Sequence, residues 1–219
     1  MELKGMSRTK LIAYLEGQLR HFFPDSRIGV RGELNKHIDE ALFRVLRSIN
    51  AVRIWPQNMF DPLHTEQNTM FLYFLANTIW QRNGNDRLAA KIYYLNKALN
   101  GFNCYYEVSL PEIFFVGHSL GIVLSRAHYS NYFAIYQNST VGWNNGREPK
   151  FEEGVVIFPG SYVMGNCAIR QGTIVSLGTI IIDQDTKANN IVFSKNGQLS
   201  FRKPKRDLLN DIFRLEDRR

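Results

Sequence analysis

The sequence has little cysteine and no long apolar run, and each shortage excludes a class of protein. Only Cys104 and Cys167 occur among 219 residues, too few for a disulfide framework and without metal-site spacing. Both stand among apolar neighbours, which predicts buried free thiols and a reducing, cytoplasmic location. No apolar stretch approaches the roughly 20 residues of a membrane span. Residues 1–10 lack the apolar centre of a signal peptide.

The net charge of +7 is not accompanied by a nucleic-acid-binding motif. Its densest part is Arg-Lys-Pro-Lys-Arg at residues 202–206, with no helix-turn-helix, zinc finger or aromatic RNA platform beside it. We therefore expect no nucleic-acid partner. The cluster falls in a basic C-terminal tail, residues 194–219, which is either solvated or in contact with a phosphorylated small molecule.

The N-terminal part, residues 1–101, is predicted to be an all-helical domain. Apolar residues recur at helical spacing over residues 7–23 and 33–50, and a further helix is expected to start near residue 86 and end before Gly101. Residues 69–80 are almost wholly apolar. They predict either a central buried helix or a helix that packs against a second subunit.

A six-residue period dominates the C-terminal half. A β-branched residue stands at every sixth position from 157 to 181: Ile157, Val163, Ile169, Val175 and Ile181. This period fits neither the 3.6-residue helix nor an alternating strand. It predicts a parallel β-helix of hexapeptide repeats over residues 102–193, with the branched side chains inward. A β-sandwich with glycine-rich turns is the alternative.

The repeat breaks once, at residues 142–149. That stretch reads Gly-Trp-Asn-Asn-Gly-Arg-Glu-Pro and is too polar to line the wall of a coil. We expect it to leave the solenoid as an excursion loop, and such loops on repeat scaffolds often build the functional site.

A helical domain followed by hexapeptide coils resembles the bacterial serine acetyltransferases, and more broadly the hexapeptide acyltransferases that O-acetylate small molecules and sugars. Residues 117–123, Gly-His-Ser-Leu-Gly-Ile-Val, are similar to the family's Asp-His-Ala-Thr-Gly-Ile-Val segment. Residues 135–142 resemble its coil ending in Val-Thr-Leu-Gly, and Asp61-Pro62 its Asp-Pro loop. The resemblance covers most of the chain from about residue 61 to 193. It implies an α+β protein whose β-helix is left-handed.

The resemblance also implies the chemistry. His118 would be the general base that takes the proton from the acceptor hydroxyl, with acetyl-CoA as co-substrate and no metal. The family supports its base with an Asp fifteen residues earlier, where this chain has Asn103. An amide oxygen can hold the imidazole tautomer but supplies no charge. Glu107 is a possible substitute, and a chain that has lost activity and only binds or assembles is a further alternative.

Two departures from the family concern the acceptor. The family's Asp before the catalytic His is Gly117 here, and the His of its loop is Glu148. A carboxylate facing the carboxylate of serine is repulsive unless paired. We therefore expect a sugar hydroxyl in cell-surface polysaccharide biosynthesis, with serine O-acetylation in cysteine biosynthesis as the alternative. The residues expected at the acceptor are Asp61, Trp143, Asn145, Arg147 and Glu148.

The family lays the pantetheine arm of acetyl-CoA along the coils at a subunit boundary, which implies a homotrimer or a dimer of trimers. Small residues at the matching positions permit close approach to the backbone, and a cation would meet the nucleotide phosphates. The residues expected to bind acetyl-CoA are Gly142, Pro159, Gly160, Ser176, Leu177, Gly178 and Lys195.

Overall fold

A helical half and a β-solenoid follow one another in the computed structural model, which describes residues 1–25, 29–84 and 86–215. The last part of the predicted tail, residues 216–219, lies outside these ranges. Within them, none of the helices is long and apolar enough to cross a lipid bilayer. Cys104 and Cys167 are both buried and free, as predicted, and burial raises the pKa of both thiols.

In the described residues of the first half there are four helices: α1 (Arg8–Phe22), α2 (Val30–Ala51), α3 (Thr65–Asn83) and α4 (Asp86–Asn100). Ser7 caps α1 by accepting a hydrogen bond from Lys10 N at 3.3 Å. A short parallel pair, β1 (Glu2–Leu3) and β2 (Met59–Phe60), ties the N-terminus to the loop before α3. The helices occur where apolar spacing predicted them.

The apolar block predicted at residues 69–80 is the buried centre of α3. Tyr73 and Phe74 pack their rings on Phe114 of the first long solenoid strand, with centroids 5.7 and 5.3 Å apart. Ser48 of α2 accepts a hydrogen bond from Phe114 N at 3.2 Å. The helix is therefore central within the chain. The alternative, a helix that packs against a second subunit, loses its basis because residues 70–75 are covered by the chain itself.

The second half, as far as residue 215, contains thirteen short strands, and twelve of them run in parallel on three faces. Face A consists of β3 (Asn103–Cys104), β5 (Val123–Leu124), β7 (Thr140–Gly142), β10 (Tyr162–Met164) and β13 (Ile180–Ile182). Face B consists of β4 (Phe114–Gly117), β6 (Phe133–Tyr136), β9 (Val156–Ile157), β12 (Ile174–Val175) and β14 (Ile191–Lys195), and face C of β8 (Lys150–Phe151) and β11 (Ala168–Ile169).

The residues that recur every six positions form the core of this parallel solenoid. The five β-branched residues from Ile157 to Ile181 are all fully buried. Val163 is in register with Ile181 on face A, and Ile157 with Val175 on face B. Stacking of like side chains between coils thus fills the interior, which confirms the β-solenoid. Its left-handedness stays a prediction.

The chain turns from face B to face A along one edge of the solenoid, called here the His118 edge: residues 118–122, 137–139, 159–161 and 177–179. It turns from face C to face B along a second edge, called the strap edge: residues 129–132, 152–155, 170–173 and 187–190. The excursion loop leaves at the third edge, between β7 and β8.

The predicted basic tail is folded through residue 215. Its first part, β15 (Gln198–Arg202), pairs antiparallel with β14 through a turn at Asn196-Gly197. Residues 203–215, called the strap, then return toward the helical half and include α5 (Leu208–Ile212). Phe213 is fully buried and bridges to Val52 at the end of α2. Residues 194–215 are therefore a folded part of the chain, while the cations Arg202, Lys203, Lys205 and Arg206 are exposed to solvent.

Arg214 fastens the strap to the C-terminal end of α2. Its guanidinium donates to the carbonyl oxygens of Asn50, Val52, Arg53 and Trp55 over distances of 2.6 to 2.9 Å. The last carbonyls of a helix have no partner within the helix, and a cation there also complements the helix dipole. The residue thus acts as a cap supplied from the far end of the sequence.

Candidate functional site

His118 is the first residue of the turn between β4 and β5. Its backbone has φ of +51°, a left-handed conformation that is uncommon for a residue with a Cβ. Its side chain is 75 % exposed. The imidazole therefore projects from the edge of the solenoid, where a substrate can reach it.

The turn that carries His118 is fixed to the end of α4. Ser119 Oγ donates to Asn100 O at 2.7 Å, and Gly121 N donates to Gly101 O at 3.1 Å. Gly121 has φ of +73°, and a Cβ there would lie 2.4 Å from Asn138 Oδ1 of the next coil, so only glycine fits. The helical half and the next coil together hold the turn that carries His118 in place.

A carboxylate that the sequence analysis missed lies beside this imidazole. Glu66, in the first turn of α3, places Oε1 3.6 Å from His118 Nδ1. The side chain of Glu66 is only 18 % exposed. The available signal was its position shortly after the predicted Asp61-Pro62 site loop.

Asn103, predicted to support His118, makes a different contact. Its Oδ1 accepts a hydrogen bond of 2.6 Å from Tyr93 Oη, and Glu107 lies 3.4 Å from the Arg126 guanidinium. Among the hydrogen bonds of the described residues, neither Asn103 nor Glu107 is joined to His118. The supporting role of Asn103 remains a prediction, although the atom assigned to that role already has a partner.

A glycine at position 117 has a steric reason that the sequence did not reveal. A Cβ at this position would lie 2.5 Å from Cδ1 of Tyr136 in the next coil. Tyr136 in turn stacks on Phe158 with centroids 5.4 Å apart and rings inclined by 4°, and burial raises its pKa. A carboxylate before His118 would therefore require this aromatic ladder to move.

Asp61 already has a cationic partner. Lys4 Nζ lies 2.9 Å from Asp61 Oδ2, because the β1–β2 pair brings the N-terminus to this loop. The hydrogen bond to Lys4 holds the pKa of Asp61 below its ordinary value, with help from Leu63 N. Asp61 is ionised and near the start of α3, the same helix end that carries Glu66.

Part of the excursion loop lines an open cavity of about 600 Å³ on face A. Of the predicted acceptor residues, Trp143 and Glu148 line it, together with Asn103. Asp61, Asn145 and Arg147 are not among its lining residues. Tyr105 and Arg126 line it as well and had not been predicted. The loop is anchored by a 2.8 Å hydrogen bond from Asn144 Nδ2 to Asp183 Oδ2.

The cavity and His118 belong to opposite sides of face A. His118 lies on the edge between faces B and A, whereas the loop leaves between faces A and C. His118 does not line the cavity. One chain therefore does not bring the predicted base and the predicted acceptor loop into a single pocket.

Most residues predicted for acetyl-CoA share the His118 edge. Pro159 and Gly160 stand there two coils beyond His118, and Ser176 to Gly178 one coil further on. Space around Gly160 and Gly178 is open. Their N–H groups, however, donate to Gln137 O and Pro159 O at 3.1 and 3.0 Å, so they are not available as donors. Gly142 lies instead at the edge where the loop departs.

The basic residues divide between two sides of the molecule. Lys195 ends β14 and precedes the hairpin turn, on the side of face B that adjoins the His118 edge. The cations of residues 202–206 lie at the end of β15 and in the strap. Arg202 lies over the Phe193 ring at 5.9 Å, and Arg206 pairs with Asp211 at 3.3 Å. Lys195 therefore stays a candidate for a phosphate, while the cluster at 202–206 leads away from His118.

Metal chemistry was not predicted for this site. In the part of the chain that the structure describes, His, Cys, Asp and Glu side chains form no group of three that could hold a metal ion.

Comparison with known proteins gives one curated relative and many solved structures. No protein-family model matches the chain. A serine acetyltransferase of Synechococcus elongatus is 25 % identical over 114 residues, which are 50 % of this chain and 46 % of the relative. The match thus spans about half of each protein.

Solved structures match over much more of the chain. A serine acetyltransferase of Vibrio cholerae is 20 % identical, covers 93 % of this chain and 83 % of its own, and has a TM-score of 0.71. That of Neisseria gonorrhoeae is 16 % identical, with 94 % and 84 % covered and a TM-score of 0.73. A serine acetyltransferase in complex with CoA is 17 % identical, with 90 % and 86 % covered and a TM-score of 0.71. The helices followed by a parallel solenoid are the fold of the serine acetyltransferases.

Proposed function

We propose that this protein is an acetyl-CoA-dependent O-acetyltransferase of the serine acetyltransferase type. One observation carries the proposal: an exposed imidazole, His118, sits beside a carboxylate on the edge of a parallel β-solenoid. The likeness to serine acetyltransferases, one of them in complex with CoA, supports the same reading. An imidazole that titrates near neutral pH is suited to accept the proton of a hydroxyl.

In the proposed reaction His118 Nε2 takes the proton of the acceptor hydroxyl while the hydroxyl oxygen attacks the thioester carbonyl carbon. The new C–O bond gives a tetrahedral intermediate. The C–S bond then breaks, and the CoA thiolate leaves with the proton returned by the imidazolium. The open glycines of the His118 edge leave room for the pantetheine arm, and Lys195 provides a cation further along.

L-Serine is the acceptor to test first, because the similar proteins are serine acetyltransferases. This favours the alternative over the sugar hydroxyl predicted from the sequence. A sugar remains the second candidate because of the side chains that line the face A cavity. Trp143 and Tyr105 offer aromatic surfaces there, and Glu148 offers a hydrogen-bond acceptor, a combination that suits a polyhydroxylated ring.

The two halves of the proposed site would meet between subunits of a homotrimer. Face A presents large apolar side chains to solvent: Tyr162, Ile180 and Ile182 are 42 to 52 % exposed. A contiguous apolar surface of this kind is typical of an interface. A second copy packed on it would bring His118 of one subunit toward the excursion loop of its neighbour.

The test is release of CoA thiol from acetyl-CoA with L-serine, beside a panel of nucleotide sugars. We expect turnover with serine, and a fall in kcat/KM of about 10²- to 10⁴-fold for His118→Ala. His128→Ala is the matched control, since His128 is also an exposed histidine of the solenoid, and it should retain activity.

Three results would change the proposal. Turnover only with a nucleotide sugar would restore the sugar as acceptor. A wild-type protein without turnover, unchanged by His118→Ala, would indicate a protein that binds or assembles without catalysis. A monomeric mass by light scattering would contradict the shared site.

A further inference from the structure

The carboxylate nearest to His118 comes from the helical half, far from the solenoid in sequence. Glu66 Oε1 lies 3.6 Å from His118 Nδ1. This is slightly longer than a hydrogen bond, and catalytic hydrogen bonds are often long before substrate binds. The nitrogen that faces Glu66 is Nδ1, which leaves Nε2 on the other side of the ring.

Glu66 is itself held in a defined position. Thr65 Oγ1 donates to its Oε2 at 2.8 Å, and His64 Nδ1 lies 3.2 Å from the same oxygen. The first turn of α3 favours a negative charge through the helix dipole. The rings of Trp55 and His64 pack edge to face, with centroids 5.4 Å apart. The carboxylate therefore has fixed neighbours on the side away from His118.

The other candidates for this role have different partners. Asn103 Oδ1 accepts from Tyr93, and Glu107 pairs with Arg126. Gly117 offers no side chain, and Tyr136 fills the space beside it. Of the acidic side chains that the structure describes, Glu66 is the one recorded within 4 Å of the His118 ring.

We propose that Glu66 is the positioning residue for His118: it accepts from the Nδ1–H group and thereby leaves the lone pair on Nε2 to take the acceptor's proton. This rests on the proposed role of His118 as base. When Nε2 receives that proton, the Glu66 charge stabilises the imidazolium, and when the proton passes to the CoA thiolate the ring returns to its starting tautomer. Glu66 keeps its charge and gives up no proton.

Two measurements test the proposal: Glu66→Ala removes the acceptor, and Glu66→Gln keeps an amide acceptor but loses the charge. The first is the ¹⁵N signals of the histidine rings in Glu66→Ala without substrate, with His118 assigned by its loss in His118→Ala. We expect Nδ1–H as the main tautomer in the wild type and a shift toward Nε2–H in Glu66→Ala. The second is steady-state kinetics of Glu66→Gln, where kcat should fall about 10- to 100-fold with KM changed less than threefold.

Glu33→Gln is a matched control. Glu33 is in the first turn of α2 and lies 3.8 Å from His37 Nε2, so it repeats the pairing away from His118. It should change neither the His118 signals nor kcat. Glu66→Asp, which keeps the charge, should restore part of kcat and of the Nδ1–H signal.

The ring signals separate failure of this proposal from failure of the proposed function. If the His118 tautomer is the same in Glu66→Ala as in the wild type, Glu66 does not position the ring and the proposal is overturned. A rise in KM for the acceptor without a loss of kcat would also overturn it and make Glu66 a substrate-binding group. If the wild type has no turnover, the proposed function fails, and the tautomer alone decides the role of Glu66.

Discussion

The His118 edge and the strap edge both border face B and are built by the same repeat. The first exposes apolar side chains to solvent, whereas the strap covers the second. On the His118 edge, Leu120 and Leu177 are 68 and 71 % exposed. Along the strap edge, residues 203–215 lie over the coils and bury Phe213 completely. The hexapeptide pattern fills the interior on all three sides. Segments outside the pattern decide which edge a substrate or another subunit can reach.

Loss of the strap's main anchor should have the largest effect on stability. Phe213 packs against Tyr132 with ring centroids 5.5 Å apart and bridges to Val52. We expect Phe213→Ala to lower the free energy of unfolding by about 3–5 kcal/mol, as measured by urea denaturation. Leu177→Ala is the control on the His118 edge and should cost about 0.5 kcal/mol or less. Equal losses at the two positions would remove the distinction between the edges.

Gly117→Ala addresses the packing behind His118. The new methyl group would meet the Tyr136 ring, and overpacking of this kind costs about 1–3 kcal/mol. The displaced turn should also lower acetyl transfer. As a control, Gly32→Ala in α2 meets open space and should stabilise the protein by about 0.5–1 kcal/mol. A Gly117→Ala protein as stable and active as the wild type would contradict the steric account.

Lys4→Met should have the smallest effect. Without the ammonium, the pKa of Asp61 should rise toward its ordinary value of about 3.9, which NMR titration of the carboxyl group can follow. Because the folded-state pKa is lowered, the pair stabilises the fold above the unfolded-state pKa, and this contribution is lost as pH falls through the folded-state pKa. The pair is partly exposed, so the loss should be below about 1 kcal/mol. An unchanged pKa would exclude Lys4 as the cause.

The sequence predicted the features that repeat locally and missed those that depend on distant contacts. Five β-branched residues at a fixed interval indicate the solenoid, because each stacks on its equivalent in the next coil. The place of Glu66 depends on how α3 docks against β4, and no local pattern encodes that docking. The fit of Tyr136 over Gly117 likewise depends on the register of neighbouring coils.

The docking of the strap on the end of α2 was not predicted, for a related reason. The charged residues of the strap suggested a solvated tail, since a run of cations usually faces water. Arg214 reaches carbonyl groups at the end of α2, and the pairing of an arginine with helix-end carbonyls leaves no spacing signal when the two are far apart in sequence. The strap's apolar residues Leu208, Leu209, Ile212 and Phe213 were the available signal, since the structure places them in the core or against it. So short an apolar stretch does not show where it docks.

The hydrogen bonds of the strap also bear on the order in which the molecule can be completed during synthesis. Arg53 Nε donates to Asn210 O across 157 positions, and Arg214 donates to Arg53 O across 161. The coils of the solenoid, by contrast, pair with neighbours that leave the ribosome shortly before or after them. Contacts between such distant residues form late because a long loop must close first. The helical half and successive coils can therefore form before the strap docks, and the end of α2 acquires its arginine cap late in folding.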